Sequence, residues 1–215
     1  MTKRALSLDI ARGSMLFLII LSHIPLLLYW AEPGVITKVA GNSPLDHFFN
    51  FLMEMFVDNR ARPLFAVLFG YGLVMIYRKR SERKGAEQAI RIIKRRCWYL
   101  ILFGAILAGV AGGQDILMSY GITGLLLVFC LKRDSRTIKK YVIISTIPCL
   151  IFIPLMWGGI VAALQSYGLP TGYTGQETYW NTILDRLFTI PFNPLFTHLL
   201  FPVIPSVLMG IWLGK

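Results

Sequence analysis

Acid, cysteine and internal repetition are what this chain has least of. Its 215 residues hold 11 Asp and Glu against 22 Lys and Arg, and three cysteines. Cys97, Cys130 and Cys149 show no paired spacing, so neither a disulfide framework nor a zinc site is supported. No segment repeats another, which argues against an inverted-repeat transporter. The opening residues carry Lys3 and Arg4, but the apolar run behind them is long and no small-residue cleavage site follows it. We therefore expect an uncleaved first span rather than a secretory leader. The densest basic segment has no aromatic side chain before Trp98, and without stacking or base-reading groups it does not read as a nucleic-acid footprint.

What is abundant is apolar. The chain is 55% hydrophobic with a mean hydropathy of +0.61, and its charges fall in blocks between apolar runs. That pattern predicts an all-α fold, a polytopic transmembrane bundle forming a single domain over residues 1–215. About six spans are expected: Ser14–Ala31, Pro63–Tyr77, Cys97–Ala111, Ile116–Leu131, Val142–Leu164 and Leu195–Leu213. Alternating them puts the basic loop 78–96, residues 132–140 and both termini on one side, with eighteen of the 22 basic residues. By the positive-inside rule that side is the cytoplasm, and the location is the bacterial plasma membrane.

Between the first two spans, Leu45–Val57 is too short and polar to cross a bilayer. Asp46, Asn50, Glu54 and Asp58 recur every fourth residue, which predicts an interfacial helix on the outer side. Asp58, Arg60 and Arg62 lead into the second span. Gly112–Asp115 predicts a tight turn with Asp115 at its tip, and residues 165–194 an outer loop. Pro202 and Pro205 interrupt the last run.

Arg12, just before the first run, and His23, the only basic or acidic side chain within it, form its polar pair. Eleven steps at about 100° each return them to nearly the same helix face, about 16 Å apart along the axis. His23 has two readings: a neutral imidazole bonded to Ser22 or to a carbonyl freed near Pro25, or a general base or transiently acylated nucleophile. Arg12 either snorkels beside Asp9 or holds phosphates at the cytoplasmic mouth. Arg62 and Asp115, with Asp58 and Glu54, read as a helix-locking ion-pair set or as the wall of an acceptor site. Asp46 and His47 fall on the same short helix, and His198 reads as interfacial.

Three motifs carry a resemblance. Ser7-Leu8-Asp9-Ile10-Ala11-Arg12-Gly13, the run Asn59-Arg60-Ala61-Arg62-Pro63-Leu64-Phe65 continuing to Gly72, and Gly113-Gln114-Asp115-Ile116-Leu117-Met118-Ser119-Tyr120 resemble, in the same order, segments of the YeiB-type bacterial membrane proteins. That family is distantly related to heparan-α-glucosaminide acetyltransferase and to the acyltransferase-3 membrane enzymes. The Arg12–His23 spacing is similar to the R-x10-H signature of the latter. The resemblance implies acyl transfer from cytoplasmic acyl-CoA, acetyl-CoA in the simplest case, to an envelope glycan, lipid or metabolite. It assigns Arg12 and His23 to the chemistry and Arg62, Asp115, Asp58 and Glu54 to substrate binding. The family's chains carry a second helical block after the part that this chain resembles, so the chain is expected to be a natural half, a truncation, or one that completes its site within the lipid bilayer with another copy or a second membrane chain. The competing class is a non-enzymatic membrane protein, a transporter subunit or structural partner.

Overall fold

The computed structural model describes residues 6–22, 43–57, 60–111, 116–164, 178, 180 and 182–215. Within these residues the chain is helical throughout, with turns and no strand. The helices are α1 (Leu6–Ser22), α2 (Pro44–Leu52, continued by a π-helical turn Met53–Val57), α3 (Ala61–Lys84), α4 (Ala86–Ala111), α5 (Leu117–Leu127, continued as 3-10 helix to Lys132), α6 (Ser135–Leu164), α7 (Ile183–Thr189), α8 (Asn193–Leu200) and α9 (Val203–Leu213). They divide into two compact units, residues 1–65 with 157–178, and residues 66–156 with 179–215.

In the first unit, α2 begins as the sequence predicts and for a definable reason. Ser43 is extended, its Oγ accepts from the Leu45 N–H at 3.3 Å, and its own N–H donates to Asp46 Oδ2 at 3.2 Å. This reciprocal capping box satisfies N–H groups that a helix start otherwise leaves orphaned. Asp46 is therefore engaged as a cap. No residue of α2 is buried, and Leu45, Phe48, Phe49 and Phe51 lie exposed along it. Replacing Ser43 with alanine should cost about 1 kcal/mol of helix stability; hydrogen exchange of the α2 amides would show the loss as faster exchange, and unchanged rates would mean the cap is idle.

The second unit is held by unusually close helix contacts. A Cβ on Gly70 of α3 would sit 2.1 Å from the Val207 carbonyl oxygen of α9, and one on Gly210 would sit 2.0 Å from the Val67 carbonyl oxygen. The backbones thus meet directly, which only glycine permits at these positions. A Cβ on Gly121 of α5 would sit 2.7 Å from the Cys97 carbonyl oxygen of α4, and one on Gly124 would sit 2.6 Å from the Cys97 sulfur. Close approach through small residues is how helices associate where burial of large apolar groups is not the driving force. The buried set is correspondingly modest in size, led by Ile93, Ile138, Ile211, Val74 and Val207.

The six-span topology is not what the structure shows. Among the described residues one helix, Ser135–Ala163, is long and apolar enough to cross a membrane, and a second crossing exists only if the bent pair α8 and α9 is counted as one. The physical reason is where the basic residues lie. Helices α3 and α4 run 24 and 26 residues, but the segment expected as a basic loop, 78–96, is itself helix, broken only at Gly85 with φ of +84°. Arg78 to Lys84 lengthen α3 and Arg91 to Arg96 lengthen α4 with charge. The apolar part of α3, Pro63 to Tyr77, spans only about 22 Å at 1.5 Å per residue, short of a hydrocarbon layer of about 30 Å. Helix α5 has 11 residues before it tightens. The first expected span is helix to Ser22, and residues 23–31 lie outside the described set. With six crossings gone, the alternation that put both termini in the cytoplasm loses its basis.

The last run is broken by its proline. Phe201, just before Pro202, is extended at φ −133°, ψ 144°, as the clash of a proline ring with the preceding residue requires. The two halves meet at 73°. Helix α6 instead carries Pro148 and Pro154 in its interior and stays one element. At its start the Asp134 carboxylate accepts from the Thr137 hydroxyl at 2.5 Å and the Thr137 N–H at 3.2 Å, which holds that carboxyl below the usual range.

Candidate functional site

The residues singled out by the sequence fall unevenly on the structure. Helix α1 is unbroken from Leu6 to Ser22 and carries Arg12, whose guanidinium lies 3.7 Å from the Asp9 carboxylate one turn earlier, each side chain about one-third exposed. Ser22 ends that helix with its hydroxyl donating to the Ile19 carbonyl at 2.8 Å. His23, Asp58 and Asp115 lie outside the described residues, as does the turn at 112–115. Glu54 sits in the π-helical turn, and Arg62 is half-buried in the first turn of α3. An acceptor-site wall of Arg62, Asp115, Asp58 and Glu54 is thus represented by Arg62 alone in side-chain detail.

The structure gathers a polar cluster that sequence reading did not. Ser119 and Thr123 stand one turn apart on α5, both fully buried. The Thr123 hydroxyl lies 2.8 Å from the Ser119 carbonyl and 2.7 Å from His198 Nε2 on α8. His198 Nδ1 is 2.5 Å from the Pro194 carbonyl oxygen, an atom that only accepts, so Nδ1 carries a proton. The Ser119 hydroxyl is buried and unbonded among the described residues. Thr123 has no exposed surface, and its contact with His198 ties α5 to α8. The signal that could have found it is the pair Ser119 and Thr123, spaced four apart within an otherwise apolar run.

Arg186 is the second surprise. It falls in the segment expected as the outer loop 165–194, yet it is buried on α7. Its Nη2 donates to Thr182 Oγ1 at 2.6 Å, Nε to the Thr182 carbonyl at 3.3 Å and Nη1 to the Val110 carbonyl at 3.3 Å. Val110 lies in the last turn of α4, where carbonyls lack intrahelical partners and the helix dipole favours a cation. At the other end of the unit, Arg78 donates to the Lys215 carbonyl at 2.8 Å and the Lys215 ammonium to the Arg133 carbonyl. Desolvation lowers the Lys215 pKa from its ordinary value. Cys97 and Cys130 are buried and Cys149 half-buried, all as free thiols. No three His, Cys, Asp or Glu side chains converge among the described residues.

The chain is similar to uncharacterized protein YxaH of Bacillus subtilis (strain 168), 27% identical over 157 residues, which is 69% of this chain and 37% of the relative. The chain thus spans little more than a third of the relative it matches. No family model matches it, and no solved structure does.

Proposed function

We propose that the chain acts in acyl transfer at the bacterial plasma membrane, moving an acyl group, acetyl in the simplest case, from cytoplasmic acyl-CoA to a hydroxyl or amine of an envelope glycan, lipid or metabolite. The carrying observation is α1: one unbroken helix that bears Arg12, oriented by Asp9, and runs to the residue before His23. Membrane association is supported by Ser135–Ala163, whose apolar 18-residue stretch is not buried inside the fold. It is also supported by the exposed stripe Trp98, Leu102, Phe103, Ile106 and Val110 of α4, a patch that a water-facing surface rarely carries.

In this reading the partly exposed Arg12 guanidinium binds donor phosphates, for which its planar fork is suited. His23 takes the proton from the acceptor as the acceptor oxygen or nitrogen attacks the thioester carbonyl. The tetrahedral adduct collapses with loss of the CoA thiolate, and the same proton passes to that leaving sulfur. Arg62 and Asp115, with Asp58 and Glu54, hold the acceptor.

Converting His23 to alanine should abolish transfer while membrane insertion stays intact, read by mass spectrometry of envelope lipids, glycans and exported metabolites in deletion cells rescued by each form. Converting Arg12 to alanine should weaken acyl-CoA binding roughly ten- to hundredfold, the worth of one charged hydrogen bond. Full rescue by the His23 variant would sink the proposal.

One observation favours a non-enzymatic membrane component: the Arg12–Asp9 contact is also a complete structural role for both residues. Acyl-CoA discriminates the two. At a hundred times its dissociation constant it should stabilise an enzyme by about 2.7 kcal/mol and leave a purely structural chain unmoved.

A further inference from the structure

The second unit contains a cavity of about 430 Å³, within the range of small-ligand pockets. Its walls come from α6, α9 and Val67 of α3. The polar atoms of the lining are largely spoken for. Thr146 Oγ1 donates to the Val142 carbonyl and Ser206 Oγ to the Pro202 carbonyl, each at 2.7 Å, so both hydroxyls spend their proton on their own helix. What faces the space is methyl, methylene and ring carbon with the Cys149 thiol, and no charged side chain lines it. A polar or charged molecule would find no partner there and would lose its hydration.

Position selects among apolar ligands. The α6 part of the wall runs from Val142 to Pro154, about 18 Å along the axis, on the helix that is long and apolar enough to cross a membrane. In the two turns before Val142, the same helix carries Arg136, Lys139 and Lys140, all exposed, with Lys139 on the face that lines the cavity. An elongated apolar slot ending beside a cluster of cations fits a hydrocarbon chain joined to an anionic head. We infer that this cavity holds an acyl chain of an anionic membrane lipid, with the lipid's phosphate beside Arg136, Lys139 and Lys140. The source is the surrounding bilayer, since the wall belongs to a helix long and apolar enough to cross one. This site lies in a different unit from Arg12 and stands whether or not the acyl-transfer reading does.

Cys149 reports occupancy. The full chain is placed in vesicles of phosphatidylglycerol or of phosphatidylcholine with identical chains, and maleimide labelling of Cys149 is timed, with buried Cys97 and Cys130 as slow internal references. Labelling at least tenfold slower in phosphatidylglycerol, with the difference lost in Lys139→Glu/Lys140→Glu, is the expected result. Equal rates in the two lipids would overturn the headgroup assignment and with it the proposal. A diazirine-bearing phosphatidylglycerol supplies the second readout: crosslinks should fall on α6 and α9 residues of the cavity and disappear in Met209→Trp, which fills it. Crosslinks spread evenly around α6 would overturn the site, as would protection of Cys149 by acyl-CoA or free fatty acid but not by the lipid. The surface double variant leaves the packing untouched, so the test stands even if the tryptophan variant fails to fold.

Discussion

Gly210→Val should abolish the folded second unit, or lower its melting temperature by roughly 6–12 °C, the equivalent of about 3 kcal/mol in a chain of this length. A side chain at 210 has nowhere to go, because its first carbon already lies 2.0 Å from the Val67 oxygen and 2.8 Å from the Tyr71 nitrogen. Those are backbone atoms and cannot rotate aside. Relief requires α3 and α9 to move apart, which also opens the reciprocal contact of Gly70 and the packing of Gly214 on Val74. Even Gly210→Ala should be costly. The matched control is Gly158→Ala on α6, where a Cβ meets nothing within 4 Å and better helix propensity should leave stability unchanged or raise it by about 0.5–1 kcal/mol. Thermal unfolding of the three proteins in one detergent decides the matter; if Gly210→Ala melts with Gly158→Ala, the helices do not meet backbone to backbone.

Arg186→Leu is the second large effect, on the order of 2–4 kcal/mol destabilising. Leucine removes the charge and the guanidinium's donors to the Val110 carbonyl and the Thr182 hydroxyl inside the fold, while the Thr182 carbonyl keeps the backbone N–H of residue 186; losing a charged donor from part-buried acceptors costs more than an exposed bond would. Arg186→Lys should not rescue it. Three nitrogens of the guanidinium reach three oxygens on α4 and beside α7, and a single ammonium cannot span that fork. Chemical denaturation gives the size, and a cycle with Thr182→Val tests the coupling, because bonded partners should be less than additive by 0.5 kcal/mol or more. Strict additivity would show that the Thr182 contacts contribute nothing.

Both effects concern residues that sequence reading passed over, and the reasons differ. Gly210 and Gly214 are four apart and so share a helix face, a pattern visible in the sequence; which helix they meet was not, because the answer depends on α3 presenting Gly70 at the same height. Arg186 looked like one more cation in a polar loop, since nothing local distinguishes a buried guanidinium from a solvated one until the end of α4 is beside it. Thr123 and His198 are 75 positions apart, and their hydrogen bond exists only because α8 folds back onto α5. By contrast, the α2 cap depends on no tertiary contact, since Ser43 and Asp46 are three residues apart and their chemistry is local.

What the amino-acid order determined alone is therefore the helical class, the start of α2, the break at Pro202 and the long apolar run of α6, all set by interactions within one turn or by steric rules of single residues. The count of crossings was decided elsewhere. Runs 63–77 and 97–111 are apolar in sequence, yet the helices continue into the basic segment 78–96, so charge and not hydrocarbon makes up their length. The tertiary structure also chose which polar groups meet. Arg186 reaches the end of α4, His198 reaches Thr123, and the hydroxyls of Thr146 and Ser206 turn back onto their own helices beside an apolar cavity, because a buried donor goes to whichever acceptor packing brings within about 3 Å.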